Sequence, residues 1–252
     1  MGMALAGLAA DASLELKLGR DIDSLFTPYD EGDTAPLLLR RAFIKAADEL
    51  NTEYTWQFQQ HEWTFQWSGG DSMLASAAAS GVPIGTAVVT ETWMAPDFLR
   101  FTPDTMHSRT HGWKLCGPLS SRDWQDSRIN GGIYSGAFRI AGNEMLMTPR
   151  VGIGHLLAYD YVTRNLCLAA DGSGKPRPTA DTDVFPWDDE TMILGAVYQY
   201  RKMERLDYAD HQMEFQQRAQ NALRMDGHSA TFSMTSGGHK MRGIARWLGL
   251  IF

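Results

Sequence analysis

Residues 186–226 read PWDDETMILGAVYQYRKMERLDYADHQMEFQQRAQNALRMD, and this stretch decides the fold class. Asp188 and its acidic neighbours precede an apolar run with helical spacing, which predicts a capped helix with negative charge at its positive end. Asp207 repeats the capping signal, so the stretch predicts two helices in tandem. Gly195 lies inside the first helix, where glycine costs about 1 kcal/mol relative to alanine. A close helix crossing would explain it.

The second of these helices has a narrow apolar stripe and a broad polar face that carries little charge. The sequence leaves two interpretations of the polar face open, a wet contact between subunits or exposure to water. The stripe consists of Tyr208, Phe215, Ala219 and Ala222, and the polar face of Gln212, Gln216, Gln217, Gln220 and Asn221.

An earlier helix is predicted after Asp33 and Thr34, either of which can cap it. Pro36 would lie in its first turn, where the missing N–H costs nothing. Apolar residues then follow helical spacing. We predict that this helix and the tandem pair form one bundle, with a core of Phe43, Leu50, Ile193, Val197, Tyr200 and Phe215.

From Glu62 onward the apolar period changes to two, which predicts β-strands. EWTFQW alternates, IGTAVVTETW is rich in β-branched residues, and GHLLAYDYVT is a further strand candidate. Gly142-Asn143 suits a two-residue primed hairpin turn. Residues 59–165 are therefore predicted to form a small antiparallel sheet or barrel, and the turn-rich residues 169–186 follow as a connection.

The predicted fold class is α+β: a helical bundle made of the first helix and the closing helix pair, with an inserted antiparallel β-domain and extended terminal arms. The expected parts are an N-terminal arm (1–33), the first part of the bundle (34–58), the inserted β-domain with its connecting loop (59–185), the second part of the bundle (186–226) and a C-terminal arm (227–252).

The composition restricts the class of function. The 252 residues carry a formal net charge of -7, which argues against a dedicated nucleic-acid binder with a basic face. No apolar run approaches the roughly 18–20 residues that span a bilayer, so we expect no membrane segment. The N-terminus is apolar, but no basic residue precedes Lys17, so a mobile or partner-ordered arm is expected rather than a signal peptide.

Candidate chemical motifs are weak throughout the chain. His107 and His111 are four residues apart but have no obvious third ligand, and His61 is expected to form a surface pair with Glu62. The GSGKP motif at 172–176 lacks the full phosphate-loop spacing. We therefore predict no catalytic residue, no metal site and no cofactor. A hydrolase remains an alternative, because catalytic triad members need not be adjacent in sequence.

The segment from Gly227 to Phe252 contains no Asp or Glu, and its end is strongly apolar. Such an end would be a costly exposed patch on a free monomer. Each of its large side chains contributes about 1.5–3 kcal/mol when buried. We predict that a partner surface receives it, with insertion into the protein's own core as the competing interpretation. The expected partner-binding residues are Lys240, Arg242, Arg246, Trp247, Leu248, Leu250, Ile251 and Phe252.

The order of the motifs resembles a known family. The helix LLRRAFIKAADELNTEYTWQFQQHEWTFQ leads into AVVTETWMAPDFLRF, which contains a Pro-Asp-Phe-x-Arg-Phe motif. FRIAGNEMLMTP then resembles an x-I-x-G-N-x-L hairpin, and a Tyr-rich strand and the helix pair follow. Over residues 37–226 this order is similar to the head-to-tail adaptor (connector) proteins of tailed, chiefly short-tailed, bacteriophages. Trp93, where tyrosine is frequent, and a long insertion between Arg100 and Phe138 depart from the pattern.

The resemblance implies a structural virion protein made in the host cytoplasm and located in the neck between capsid and tail. Such adaptors form a homo-oligomeric ring, usually dodecameric, beneath the portal protein and above tail or nozzle proteins. DNA passes through the channel without sequence-specific binding, and the C-terminal arm reaches the portal. The alternative is a monomeric or dimeric hydrolase, for example one that degrades cell walls.

Overall fold

The computed structural model describes residues 2–18, 22, 24–26, 34–67, 72–74, 92–129, 136–148 and 154–226. Within these ranges the protein combines helices with antiparallel sheets, so the mixed helix and antiparallel-sheet content expected from the sequence is confirmed. The helices are α1 (Leu5–Glu15), α2 (Ala35–Glu53), α3 (Ser121–Ile129), α4 (Asp189–Met203) and α5 (Ala209–Met225).

The described strands form three antiparallel groups. The strands are β1 (Gln60–Gln66), β2 (Ser72–Leu74), β3 (Phe98–Phe101), β4 (His107–Ser108), β5 (Trp113–Lys114), β6 (Ala137–Ala141), β7 (Glu144–Thr148), β8 (Leu156–Thr163), β9 (Cys167–Leu168) and β10 (Gly174–Lys175). The first group has the order β1-β8-β4-β5, with β3 also paired to β8; the second has the order β2-β7-β6; and the third is the pair β9-β10.

Helix α4 lies at the centre of the helical packing and contacts α1, α2 and α5. Its N-terminus is capped as expected, because the Asp188 carboxylate accepts a hydrogen bond from the Thr191 N–H at 3.2 Å. Of the residues predicted to share a core, Ile193 is half-buried and five are buried: Phe43, Leu50, Val197, Tyr200 and Phe215.

Gly195 lies at a close approach of α4 to α2 and α5. A β-carbon at this position would lie 2.9 Å from the Cβ atom of Ala46 on α2 and 2.7 Å from the ring of Phe215 on α5. Glycine therefore permits both contacts at once, which confirms the close crossing expected from its mid-helix position.

The N-terminus differs from the arm predicted for residues 1–33. Residues 5–15 form helix α1, and Leu5, Leu8, Ala9 and Ala12 are completely buried in the core that α2 and α4 also build. The Leu5 N–H donates to the carbonyl oxygen of Asp183 at 2.9 Å, which anchors the start of the helix. Small apolar residues look like a mobile arm in the sequence, but they suit close packing against a neighbouring helix.

The connection at 169–186 is held in place by one buried carboxylate. Asp183 accepts hydrogen bonds from the Lys175 Nζ at 2.8 Å, the Thr179 N–H at 2.7 Å and the Ala180 N–H at 3.0 Å. Phe185, two residues further on, packs into the helical core. The turn-rich sequence therefore forms an ordered anchor for α1.

A second core lies between the sheets and is dominated by aromatic rings. It contains Phe65, Trp67, Trp93, Met106, Leu115, Phe138, Met145, Met147, Leu157, Tyr159 and Tyr161. Arg100 links this part of the molecule to α2, because its guanidinium donates to the carbonyl oxygens of Thr52 and Tyr54, both at 2.6 Å. A cation at the last carbonyls of a helix also favours the helix dipole.

Local predictions had mixed outcomes. The Gly142-Asn143 turn joins β6 to β7, and Gly142 has a φ of +61°, as a primed turn requires. The N-cap of α5 is Tyr208 rather than Asp207, whose carboxylate accepts only a 3.4 Å contact from the Ala209 N–H. Helix α3, which is part of the long insertion, was not predicted.

Candidate functional site

The outer face of α5 is the polar helical face for which the sequence left open either a subunit contact or exposure to water. Only Phe215 and Ala219 of this helix are buried. Met213 and Met225 have exposed fractions of 67% and 87%, beside the exposed amides of Gln217 and Gln220. Methionine side chains adapt to irregular partner surfaces, and amides can bind through water. The face is suited to a subunit contact.

The end of α5 is fixed against the segment that precedes β1. The Asp226 carboxylate accepts a hydrogen bond from the Gln57 N–H at 2.6 Å. The chain continues from this point into the segment predicted to bind a partner. That segment lies outside the described residues, and it contains Lys240, Arg242, Arg246, Trp247, Leu248, Leu250, Ile251 and Phe252.

Trp93, the position at which the chain departs from the family pattern, links two of the motifs that carry the resemblance. The Trp93 Nε1–H donates to the carbonyl oxygen of Asn143 in the Gly-Asn hairpin at 3.1 Å. The Tyr159 hydroxyl, in the Tyr-rich strand, donates to the carbonyl oxygen of Trp93 at 2.7 Å. The strand, the hairpin and the segment before Pro-Asp-Phe therefore form one structural unit.

Asp97 of the Pro-Asp-Phe motif ties that segment to the end of β8. Its carboxylate accepts hydrogen bonds from the Tyr161 hydroxyl at 2.7 Å, the Thr163 hydroxyl at 2.6 Å and the Asn165 side-chain amide at 3.1 Å. Burial, and then the Asp97 hydrogen bond, hold the pKa of Tyr161 well above its usual range. This tyrosine therefore stays neutral at physiological pH, and the geometry indicates a structural role for Asp97.

A cleft of about 550 Å³ lies on the polar side of the first sheet, and sequence reasoning did not identify it. Glu62 on β1 is directly opposite Asp160 on β8, and His107 on β4 is directly opposite Ala158. Arg109 forms an ion pair with Glu62. Strand register brings these groups together, and register cannot be read from the sequence. The sequence could have indicated the cleft only through the alternation of polar and apolar residues within each strand.

The three histidines considered as catalytic or metal-binding residues have different surroundings. The His107 Nδ1 is 2.7 Å from the carbonyl oxygen of Thr105, and the His61 ring packs beside Tyr161. The His111 ring lies 4.4 Å from that of His155, centroid to centroid. Within the described ranges, no group of three or more His, Cys, Asp or Glu side chains is arranged to hold a metal ion.

The sequence was compared with known proteins. No protein-family model matches the chain, and no curated protein matches it. In the part of the chain that the structure describes, no helix is both long enough and apolar enough to cross a membrane.

Proposed function

We propose that the protein is a non-enzymatic structural component of a bacteriophage virion, an adaptor that forms a ring between portal and tail. In this role the ring extends the DNA channel in the neck of the particle, and DNA passes through it without sequence-specific binding. The observation that carries the proposal is the contact between separate motifs of the family resemblance. Asp97 of the Pro-Asp-Phe motif accepts a hydrogen bond from the Tyr161 hydroxyl of the Tyr-rich strand, and the Gly-Asn hairpin is held through Trp93, the position at which the chain departs from the family pattern.

Contacts between the motifs are more specific evidence than the motifs themselves. Pro-Asp-Phe and Gly-Asn are common turn sequences, so each motif alone has little specificity. Hydrogen bonds between them, however, require a particular order and register. Contact between the motifs supports a shared architecture better than their separate presence in the sequence does.

Helix packing supports the same proposal. Helix α2 precedes the sheet-forming segment in the chain, and α4 and α5 follow it, yet α4 contacts both α2 and α5. We infer an arrangement in which α2 and the closing pair, α4 and α5, form a bundle and the intervening strands form an inserted β-domain. The tight crossing at Gly195 makes this packing specific.

The outer face of α5 and the segment after it provide contact surfaces in this proposal. A ring needs a heterologous contact, in which one surface of a subunit meets a different surface of its neighbour. The face around Met213 is proposed as one such surface, and the apolar C-terminal end as the portal contact. The net charge of -7 would keep packaged DNA from adhering during its passage.

The test is a mass measurement on the full chain, alone and after mixing with the portal protein of the same phage. The expected result is a defined multimer on the portal, with a dodecameric ring as the leading stoichiometry. Met213→Glu should weaken this assembly. Ile129→Glu is the matched control, because Ile129 on α3 is 78% exposed and lies away from α5 in the chain.

Two outcomes would contradict the proposal. One is a chain whose mass does not change with portal at any salt concentration. The other is a stable monomer or dimer that releases fragments from purified cell walls, which would support the hydrolase alternative.

A further inference from the structure

One face of the first sheet packs into the aromatic core, and the other carries Glu62 and Asp160 beside the buried Ala158 and Val162. Phe65, Tyr159 and Tyr161 point into the aromatic core. Side chains alternate along a strand, so Glu62 and Asp160 point to the other side, where the cleft of about 550 Å³ lies. Most of the residues that line the cleft are polar or charged.

The cleft has one more carboxylate than its lysine and arginine side chains compensate. Arg109 is paired with Glu62, and the Lys114 Nζ is 3.2 Å from the Asp104 carboxylate. Asp160 remains. Among the described residues, His107 and Arg109 favour its ionised form only through the field of their charges, and neither hydrogen-bonds to it.

The environment of Asp160 favours an additional cation. Burial, and secondly the charge of Glu62 on the neighbouring strand, raise the pKa of Asp160 above its ordinary value. An ionised carboxylate in such surroundings gains from a charged hydrogen-bond donor, and charge-assisted bonds are about twice as strong as neutral ones. An ammonium or guanidinium group fits this requirement.

The sequence has a segment of complementary charge after α5. Residues 227–252 contain Lys240, Arg242 and Arg246 and no acidic residue. Asp226, the last described residue before this segment, accepts a hydrogen bond from the Gln57 N–H. Gln57 precedes Glu62 by five residues, so the two are separated by at most about 18 Å.

The segment is long enough to reach the cleft of its own subunit. Lys240 follows Asp226 by fourteen residues, which span up to about 46 Å when extended. A tethered group also binds at a high effective concentration, in the millimolar range for short flexible linkers. The geometry therefore favours the same chain over a second copy as the source of the cation.

We infer that the acidic cleft around Asp160 and Glu62 is a docking site for the basic side chains of the chain's own C-terminal segment, Lys240 first among them. The docked segment holds its apolar end near the sheet until a partner with higher affinity displaces it. This inference does not rest on the proposed ring function, and either can fail without the other.

Zero-length carbodiimide cross-linking of the full-length protein, followed by peptide mass spectrometry, tests the inference. Lys240 is the only lysine in the segment, so it should form an amide with Asp160, Glu62 or Asp104. The Lys114–Asp104 ion pair is an internal positive control, since it should cross-link in every sample. A mixture of ¹⁵N-labelled and unlabelled protein distinguishes links within one chain from links between chains.

The expected result is a Lys240 link to the cleft with unmixed labels, and its loss in 1 M NaCl. In the double variant Asp160→Asn and Glu62→Gln this link should fall several-fold, while the Lys114–Asp104 link persists. Lys240→Arg keeps the charge but removes the link. The inference is overturned if the positive control forms without a cleft link, if Lys240 links mainly to other carboxylates, or if mixed labels dominate.

Discussion

Asp183 offers the sharpest test of how the N-terminal helix is held. Its side chain is only 1% exposed and forms an ion pair with Lys175, whose side chain is 27% exposed. One carboxylate oxygen accepts the Lys175 Nζ, and the other accepts the backbone N–H groups of Thr179 and Ala180. The carbonyl oxygen of Asp183 also receives the Leu5 N–H at the start of α1.

Asp183→Asn keeps the shape of the side chain but replaces one acceptor oxygen by an NH₂ group. Whichever way the amide turns, a donor faces a donor. Breaking a buried ion pair by changing one partner costs about 3–5 kcal/mol. Because Lys175 keeps partial access to water, which screens its charge, we expect a loss of about 2–3 kcal/mol in the free energy of unfolding.

The measurement is urea unfolding at pH 7, followed by tryptophan fluorescence. Asp104→Asn is a matched control, because Asp104 has a positive φ that asparagine also tolerates and forms an exposed ion pair with Lys114. An exposed pair contributes about 0–1 kcal/mol, so the control should lose no more than that. Equal stabilities of Asp183→Asn and wild type would refute the reasoning.

The same pair predicts a pH dependence. Burial alone would raise the pKa of Asp183, but the hydrogen bonds from Lys175 and two backbone N–H groups outweigh it and lower the pKa. A lowered folded-state pKa stabilises the protein above the unfolded value of about 3.9. This contribution is lost as pH falls through the folded-state pKa. The gap between wild type and Asp183→Asn should therefore narrow below about pH 4, and a constant gap would contradict the ion-pair interpretation.

Three further predictions concern the helical packing, and each is measured by chemical unfolding. Gly195→Ala should destabilise the protein by about 1–2 kcal/mol, since overpacking costs about 1–3 kcal/mol and better helix propensity returns up to about 1; Ala46→Gly in the same chain should recover part of the loss, and full additivity would argue against the close crossing. Phe215→Ala should cost about 3–5 kcal/mol, because the ring is fully buried; a loss below 1 kcal/mol would place it outside the core. The pKa of Glu49 is raised, mainly by burial and then by the charge of Glu53, so the free energy of unfolding should fall as pH rises through that pKa. Glu49→Gln should therefore be more stable than wild type at pH 7. A less stable variant would contradict the direction of this pH dependence.

Features governed by neighbours in the chain were predictable. The Asp188 cap, the spacing along α2 and α4, and the Gly142-Asn143 turn depend on backbone preferences and periodicity within a few residues. Gly195 was also informative, because a mid-helix glycine conflicts with helix propensity unless a neighbour requires the space. These signals are local, and they were sufficient for the mixed class of helices and antiparallel strands.

The N-terminal helix depended on tertiary structure. The segment of residues 5–15 is short and mostly apolar, and an isolated helix of this length is marginal in water. What orders it is the surface of α4 and the carbonyl oxygen of Asp183, which is far away in the chain. No pattern within the first 33 residues could specify that partner.

The cleft was decided by tertiary structure for a similar reason. Glu62 and Asp160 are separated by most of the β-region, and a one-residue change in register would place them on opposite faces of the sheet. The sequence by itself determined the helices α2, α4 and α5 and the hairpin of β6 and β7, because those preferences act over a few residues. Only the folded chain determined which charges meet, because contacts between distant residues depend on register and packing.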